Sequence, residues 1–267
     1  VANNNWQVKP GQTVKLGDYE TDHDFGLTKD SAKTELETLQ AEISALQSRL
    51  YAEGKQSLLV ILQGMDASGK DGVIKNVFSG VNPMGLHIVS FKAPTAHELA
   101  HDYLWRVHLA CPPRGKIGLF NRSHYEDVLI VRVNGWIDMD TCRERYHQIN
   151  AFERLLTENG TRILKFMLHI SRDEQKKRLV DRLNSPDEYW KFSAGDLPVR
   201  ARWDDYMQAY QDALSACSTD EAPWHIVPAD RKWARNVVIA RTVVNALRQM
   251  NPQYPPRDPS LDGIEIV

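Results

Sequence analysis

Apolar residues along this chain follow two alternating rhythms. Short continuous runs occur at Ser57–Leu62, Leu86–Phe91, Lys116–Phe120, Ile163–Ile170 and His225–Val227. Their length and lack of polar interruption predict strands buried on both faces. Between them, helical spacing predicts helices over Asp71–Ser79, Thr95–Leu109, Asp138–Thr157, Arg172–Leu183, Pro198–Ser215 and Arg231–Met250. Strand followed by helix, repeated, predicts an α/β fold with a mostly parallel sheet and helices on both faces. Ahead of this block, residues 1–29 are polar and aperiodic, with Gly11, Gly17 and Gly26, and read as an irregular arm. From Asp30 to Lys55 the residues Leu36, Leu39, Ile43, Leu46 and Leu50 recur at helical spacing. Asp30 or Ser31 is expected to cap this long helix and Gly54 to end it; it either packs on the main domain or meets a partner subunit. Behind the block, Asn251–Val267 carries Pro252, Pro255, Pro256 and Pro259 and reads as an extended tail docked on the surface or on a neighbouring subunit. The divisions are therefore residues 1–56, arm and long helix; 57–250, main domain; and 251–267, proline-rich tail.

A length of 267 residues suits one well-buried α/β domain with decorated ends. A net charge of −2 argues against a general nucleic-acid binder, so a polyanionic ligand has to be held by a local basic patch. No apolar run has the length of a membrane span. The opening Val1-Ala2-Asn3-Asn4-Asn5 lacks the basic and apolar regions of a signal peptide. Cys111, Cys142 and Cys217 fit neither a disulfide framework nor zinc spacing. A cytoplasmic protein with reduced thiols is expected.

Gly64-Met65-Asp66-Ala67-Ser68-Gly69-Lys70 matches G-x-x-x-x-G-K directly after the first apolar run and directly before a helix. That context predicts phosphate binding. Glycines let backbone N–H groups turn inward around phosphate oxygens, the following helix presents its positive end, and Lys70 adds a mobile cation. The alternative is a glycine-rich turn with no ligand. Asp71 stands where a Ser or Thr usually supplies a hydroxyl to Mg²⁺. Asp66 is repelled by phosphate unless a cation lies between them, which favours it as a metal ligand over a mere partner for loop amides.

A second constellation closes the strand at Lys116–Phe120: Asn121-Arg122-Ser123-His124-Tyr125-Glu126-Asp127. Strand carboxyl ends line the crevice of a parallel sheet, so these polar groups should face the phosphate loop. Asn121 occupies a place where such enzymes commonly carry a metal-binding Asp, so Asp127, with Glu126 as a second candidate, is expected to supply the missing charge. Arg122 offers a planar fork to phosphate oxygens. His124 reads as an orienting group or, with Tyr125, as cap and packing. In Arg172–Leu183, Arg178 and Arg182 lie four apart on one helical face and suit a lid that closes on phosphates; a solvated helix paired with Asp173, Glu174 and Asp181 is the alternative. Lys75, Lys92 and Arg106 are weaker candidates. Trp105 and Trp203 read as core rather than as stacking platforms.

Taken in order, Gly64–Gly72, Lys92-Ala93-Pro94-Thr95, His101-Asp102-Tyr103-Leu104-Trp105-Arg106 and Phe120–Asp127 resemble the second family of polyphosphate kinases. The resemblance runs from about Asp30 through the proline-rich tail and so covers nearly all the chain. It implies a three-layer α/β/α P-loop kinase fold, thymidylate-kinase-like, with a parallel sheet and a helical lid at about 172–197. It implies transfer of a phosphoryl group between inorganic polyphosphate and an adenine nucleotide with Mg²⁺, or Mn²⁺ in its place, by a homo-oligomer, dimer or tetramer, with no nucleic acid and no membrane as partner. Asp66, Lys70, Arg122, Arg178 and Arg182 are then the catalytic candidates. Gly64, Ala67, Ser68, Gly69, Lys70, Asp71, Lys75, Asn121 and Glu126 are the phosphate- and nucleotide-binding ones, and Asp66 and Asp127 the metal ligands. Asn121 with Glu126 resembles the branch that accepts both AMP and ADP. The rival readings are an ATP-dependent nucleoside monophosphate kinase on the same fold and a non-catalytic P-loop nucleotide-binding protein.

Overall fold

The computed structural model describes residues 6–262, 264 and 266. The extreme start, Val1–Asn5, on which the location was argued, lies outside them.

Among the described residues five parallel strands form one sheet: β1 (Ser57–Gln63), β2 (Leu86–Ser90), β3 (Ile117–Asn121), β4 (Thr161–His169) and β5 (Trp224–Pro228), in the order β2-β3-β1-β4-β5. Every residue of β1 is buried, as its unbroken apolar run requires of a central strand. Among the described residues ten α-helices surround the sheet: α1 (Lys29–Glu53), α2 (Lys70–Val77), α3 (Ala96–Leu99), α4 (Trp105–Ala110), α5 (Ile130–Val133), α6 (Met139–Glu158), α7 (Arg172–Asn184), α8 (Asp196–Ala201), α9 (Trp203–Ala216) and α10 (Lys232–Met250). From β1 the chain moves toward β2, whereas the later crossovers move the opposite way. With right-handed connections, α2 therefore lies on one face and α4, α6 and α9 on the other. The packing agrees: α10 lies on both α1 and α2, while α6 lies on β4 and α9 on α5. No helix among the described residues is long and apolar enough to cross a membrane.

Local chemistry explains where the helices differ from expectation. The cap of α1 is Thr28, one turn earlier than Ser31: Thr28 accepts from the Ser31 N–H and the Ser31 hydroxyl accepts from the Thr28 N–H. Gly54 closes the helix at φ 64°. The helix is fastened to α10 by two bidentate forks, Arg241 to Glu35 and Arg248 to Glu42. The single helix expected over Thr95–Leu109 is two short ones. Thr95 and Glu98 form a capping box around α3, and the Asp102 side chain accepts the Leu104 N–H, drawing that backbone out of the helical ladder. The helix expected over Pro198–Ser215 likewise divides at Arg202, and Pro198 sits in the first turn of α8, where its missing N–H costs nothing.

The arm is irregular but anchored. Ile226 N–H donates to Trp6 O and Val8 N–H to Trp224 O, both at 2.8 Å, and Val8, Val14 and Leu16 are buried. At the other end, Gln253 N–H reaches Glu53 and Pro252 is buried, but from Gln253 to Ser260 the tail is exposed.

The connections leaving β1 and β3 run to opposite faces of the sheet. Their carboxyl ends, Gln63 and Asn121, lie side by side in the register Leu62↔Asn121. This is the topological switch point at which an α/β sheet opens a crevice.

Candidate active site

The loop after β1 is built by backbone conformations that few residues tolerate. Gly64 has φ 148°, and a Cβ there would meet Leu168 O and Ser68 Oγ at 2.8 Å. Gly69 has φ 100°, and a Cβ there would meet a guanidinium nitrogen of Arg235 at 2.1 Å. Ala67 is left-handed at φ 60°, a strained setting for a residue with a side chain. Lys70 opens α2 and folds back so that Nζ donates to Gly64 O at 2.8 Å and Met65 O at 3.3 Å. Burial pushes its ammonium below the ordinary lysine range, against the opposing pull of Asp66. The Ser68 hydroxyl is buried with no hydrogen-bond partner among the described residues.

Two arginines brace the loop from beneath. Arg178, on α7, donates to Ala67 O, Ser68 O, Ala229 O and Asp230 O and pairs with Glu174 at 2.8 Å. It is 6% exposed. The structure thus places Arg178 under the phosphate loop rather than on an open lid face, because four carbonyls already occupy its donors. Arg235, on α10, donates to Ser68 O at 2.8 Å. Gln175 adds a bond from its side-chain amide to Asp66 O at 3.0 Å and is itself held by Arg200.

The facing wall comes from the segment after β3. Arg122 adopts φ 62°, its N–H donates to Leu62 O, and its side chain reaches Asp66 at 2.7 Å. Asn121 donates to the Asp71 carboxylate. Burial pushes the Glu126 carboxyl above the ordinary range, opposed by Arg122 and Lys70. Asp127, its neighbour, faces elsewhere: it lies 4.0 Å from Arg106 and 3.9 Å from Arg145. The expected Asp66–Asp127 metal pair is therefore not formed; successive residues of the 3-10 turn His124–Val128 point in different directions, and Glu126 is the acid that turns to the loop. His124 and Tyr125 are fully buried and bond to Glu153, which fits the packing reading for both.

Arg182 does reach the crevice, 4.0 Å from Asp196, whose carboxyl is raised by burial first and then by Asp66. Tyr206 and Tyr210 of α9 complete this side; burial, then Glu126, raises both phenols. Lys75 is exposed in the last turn of α2, away from the loop at the helix start. Lys92 is exposed too, and Arg106 donates to its carbonyl. Trp203 is core, but Trp105 is not: it is half-buried and stacked on His101 with centroids 4.2 Å apart. Arg235, Gln63, Gln175, Asp196 and the two tyrosines carried no local signal in the sequence.

Asp66, Glu126 and Asp71 are the negative charges acting on Lys70, all hard oxygen donors. Among the described residues no three acids stand close enough to chelate a metal unaided. That donor set suits a small divalent cation that completes its shell with phosphate oxygens and water.

The family model for polyphosphate kinase 2 (PPK2) matches residues 26–255, a span that includes every strand and both loops of the crevice. The chain belongs to the polyphosphate kinase 2 family. It is similar to the AMP/ADP-polyphosphate phosphotransferase of Meiothermus ruber, 45% identical over 263 residues and 98% of each chain. It is also similar to the ADP-polyphosphate phosphotransferase of Rhodopseudomonas palustris, 43% identical over 96% of this chain and 93% of that one. The crystal structure of polyphosphate kinase 2 from Arthrobacter aurescens TC1 superposes with a TM-score of 0.91 at 44% identity, covering 95% of this chain and 91% of that one. Membership in this family makes the chain a phosphotransferase and implies a divalent cation in the reaction.

Proposed function

We propose that this polyphosphate kinase 2 carries a phosphoryl group from inorganic polyphosphate to AMP and to ADP, giving ADP and ATP, with Mg²⁺ or Mn²⁺ bound. The observation that carries the reading is the crevice between the loops after β1 and β3. There Lys70 and Arg122 stand with Asp66 and Glu126 at the glycine-rich loop. Polyphosphate has no base or sugar to be recognised, so cations and amides suffice to hold it.

In this reading the fold is of the thymidylate-kinase-like P-loop type. Amides of Gly64, Ala67 and Gly69 cradle phosphate oxygens, while Ser68, whose N–H is held by Met65 O, contributes its buried hydroxyl, which gains a partner from them. Lys70 leaves its loop carbonyls for the transferring phosphate. Asp66, with Glu126 next to it and Asn121 and Asp71 behind, holds the cation, which supplies charge neutralisation when bound. Arg122 then exchanges Asp66 for phosphate. Arg182 closes from the segment at about 172–197, while Arg178 keeps the loop in shape. An oxygen of the acceptor phosphate attacks the terminal phosphorus; the new P–O bond forms as the bond to the chain breaks, and polyphosphate leaves one unit shorter. That oxygen is already anionic, so no general base is needed, and positioning with charge stabilisation carries the step. The reading also carries with it a cytoplasmic homo-oligomer acting on soluble substrates.

Purified protein given Mg²⁺, long-chain polyphosphate and either AMP or ADP should form ATP with none supplied. Failure to do so, with ATP-driven phosphorylation of AMP instead, returns the assignment to an ordinary nucleoside monophosphate kinase. Lys70→Ala and Asp66→Ala should each abolish transfer with an unchanged far-UV spectrum; near-normal turnover in either contradicts the roles given to the loop.

A further inference from the structure

The two arginines beneath the phosphate loop form a cluster that the empty protein has poor reason to keep. Arg235 is 1% exposed and has no carboxylate within ion-pair distance among the described residues. Its bonds go to Ser68 O and to the side-chain oxygen of its neighbour Asn236. Arg178, the adjacent buried cation, acts on it electrostatically and among the described residues has Glu174 alone as an ion-pair partner. Lys70, a third buried cation, donates to Gly64 O and Met65 O of the same loop. The guanidinium of Arg235 also lies against the first turn of α2, reaching the Cβ positions of Gly69 and Gly72 at 2.1 and 3.5 Å. This is the positive end of a helix, where a cation is repelled. Burial, like-charge repulsion and the helix end thus all oppose it. Burial and then Arg178 push the guanidinium down to about 9, which leaves it charged at neutral pH.

Each unfavourable contact would turn favourable with a polyanion in the crevice. Ser68 O accepts from both arginines, so the Ser68–Gly69 peptide is fixed with its carbonyl on their side and the Gly69 N–H on the opposite edge, while the Ser68 N–H is held within the loop by Met65 O. Charge buried there is also shielded from salt, unlike that of surface lysines.

We propose that Arg235 is a positioning residue of the phosphate site: it holds the loop in its binding conformation and charges it in advance, and the empty protein is less stable for it. This deepens the phosphate-transfer reading above and rests on it. A residue kept only as a structural tie would behave in the opposite way, since its loss would weaken the empty fold and leave ligand affinity alone.

The experiment compares wild type, R235M and R235K, using tripolyphosphate as the probe. Thermal midpoints are measured without ligand, tripolyphosphate affinity by calorimetry with Mg²⁺ present, and kcat and KM by ATP formation. R235M should melt at or above the wild-type midpoint when empty and bind tripolyphosphate about tenfold or more weakly. Its KM for polyphosphate should rise by more than kcat falls, and R235K should recover part of the affinity. A lower empty-state midpoint or unfolding of R235M overturns the proposal, and so does wild-type affinity in that variant. If wild type itself binds no tripolyphosphate, the parent reading fails; if wild type binds and R235M binds equally, only the role of Arg235 fails.

Discussion

Lys165 and Glu153 allow a test of how the site loop is held from behind. Lys165 projects from β4 and is fully buried; its ammonium lies 2.5 Å from Glu153, which is 1% exposed on α6. The same ammonium donates to Cys217 O at 2.6 Å and to the Tyr125 hydroxyl at 2.9 Å, while Tyr125 donates to Glu153 at 2.8 Å and His124 stands 3.2 Å from it. Lys165→Met leaves the Glu153 carboxylate buried and uncompensated, a change that costs ~3–5 kcal/mol when one partner of such a pair is removed. Against a total stability of ~5–15 kcal/mol, that is a third or more of the fold's margin. The double variant Lys165→Met/Glu153→Gln should lose ~2 kcal/mol less than the sum of the two single losses, since the stranded charge is gone. Urea denaturation with a constant m-value reads both numbers. Since His124 and Tyr125 lie between Arg122 and Glu126 in sequence, transfer should fall with stability.

Acid titration supplies an independent sign. Burial tends to raise the Glu153 carboxyl, but Lys165 and His124 outweigh it and hold the group below the usual range. The pair's stabilisation is therefore present above the unfolded-state value and lost as pH falls through the depressed folded one. Without Lys165, burial acts with less opposition, so the variant should gain relative stability on mild acidification where wild type loses it. A loss under ~1 kcal/mol for Lys165→Met, or strict additivity in the double variant, would refute the account.

Two further outcomes follow from the crevice and from the seam behind it. Glu126 has its carboxyl raised by burial, so its stabilising contribution is complete in acid and lost as pH rises through the folded value; Glu126→Gln should raise the neutral-pH melting temperature while lowering transfer and shifting the acid limb of its pH–rate profile, and an unmoved limb would rule out Glu126 as the group titrating there. At the seam between α1 and α10, Arg241→Ala removes a bidentate, partly exposed pair and should cost ~0.5–1 kcal/mol, declining at high salt; a salt-independent loss above ~2 kcal/mol would mean packing, not charge, holds the seam.

The parts of this protein that were legible in its sequence are those whose cause is local. An unbroken apolar run is enough to bury β1 on both faces, and the phosphate loop sits entirely within one strand–turn–helix unit. Arg178 shows where local reasoning ends. Spacing places Arg178 and Arg182 on the same side of α7, but it does not say that one lies beneath the loop and the other beside Asp196. Glu126 and Asp127 pose the same problem over a single peptide bond, since a 3-10 turn sends them to opposite neighbours. Arg235 was invisible for a different reason: its partner Ser68 is 167 positions away, and only the return of α10 beneath α2 brings them together. Trp105 was misplaced because a large aromatic is usually core, and here two histidines cover it instead.

The arm that crosses β5 has a consequence for how this sheet can grow. Trp6 and Val8 occupy backbone groups of β5 on its outer side, so that margin is already spoken for. The opposite margin, β2, is a half-exposed strand with Ile88 53% exposed and a row of outward amides and carbonyls. Among the described residues the sheet therefore has a pairing valence of one. Two copies meeting strand to strand would exhaust each other and stop at a pair, whereas a sheet open on both margins could add copies without limit. The three residues Trp6–Val8 thus decide, among the described residues, which margin of the sheet is left to pair.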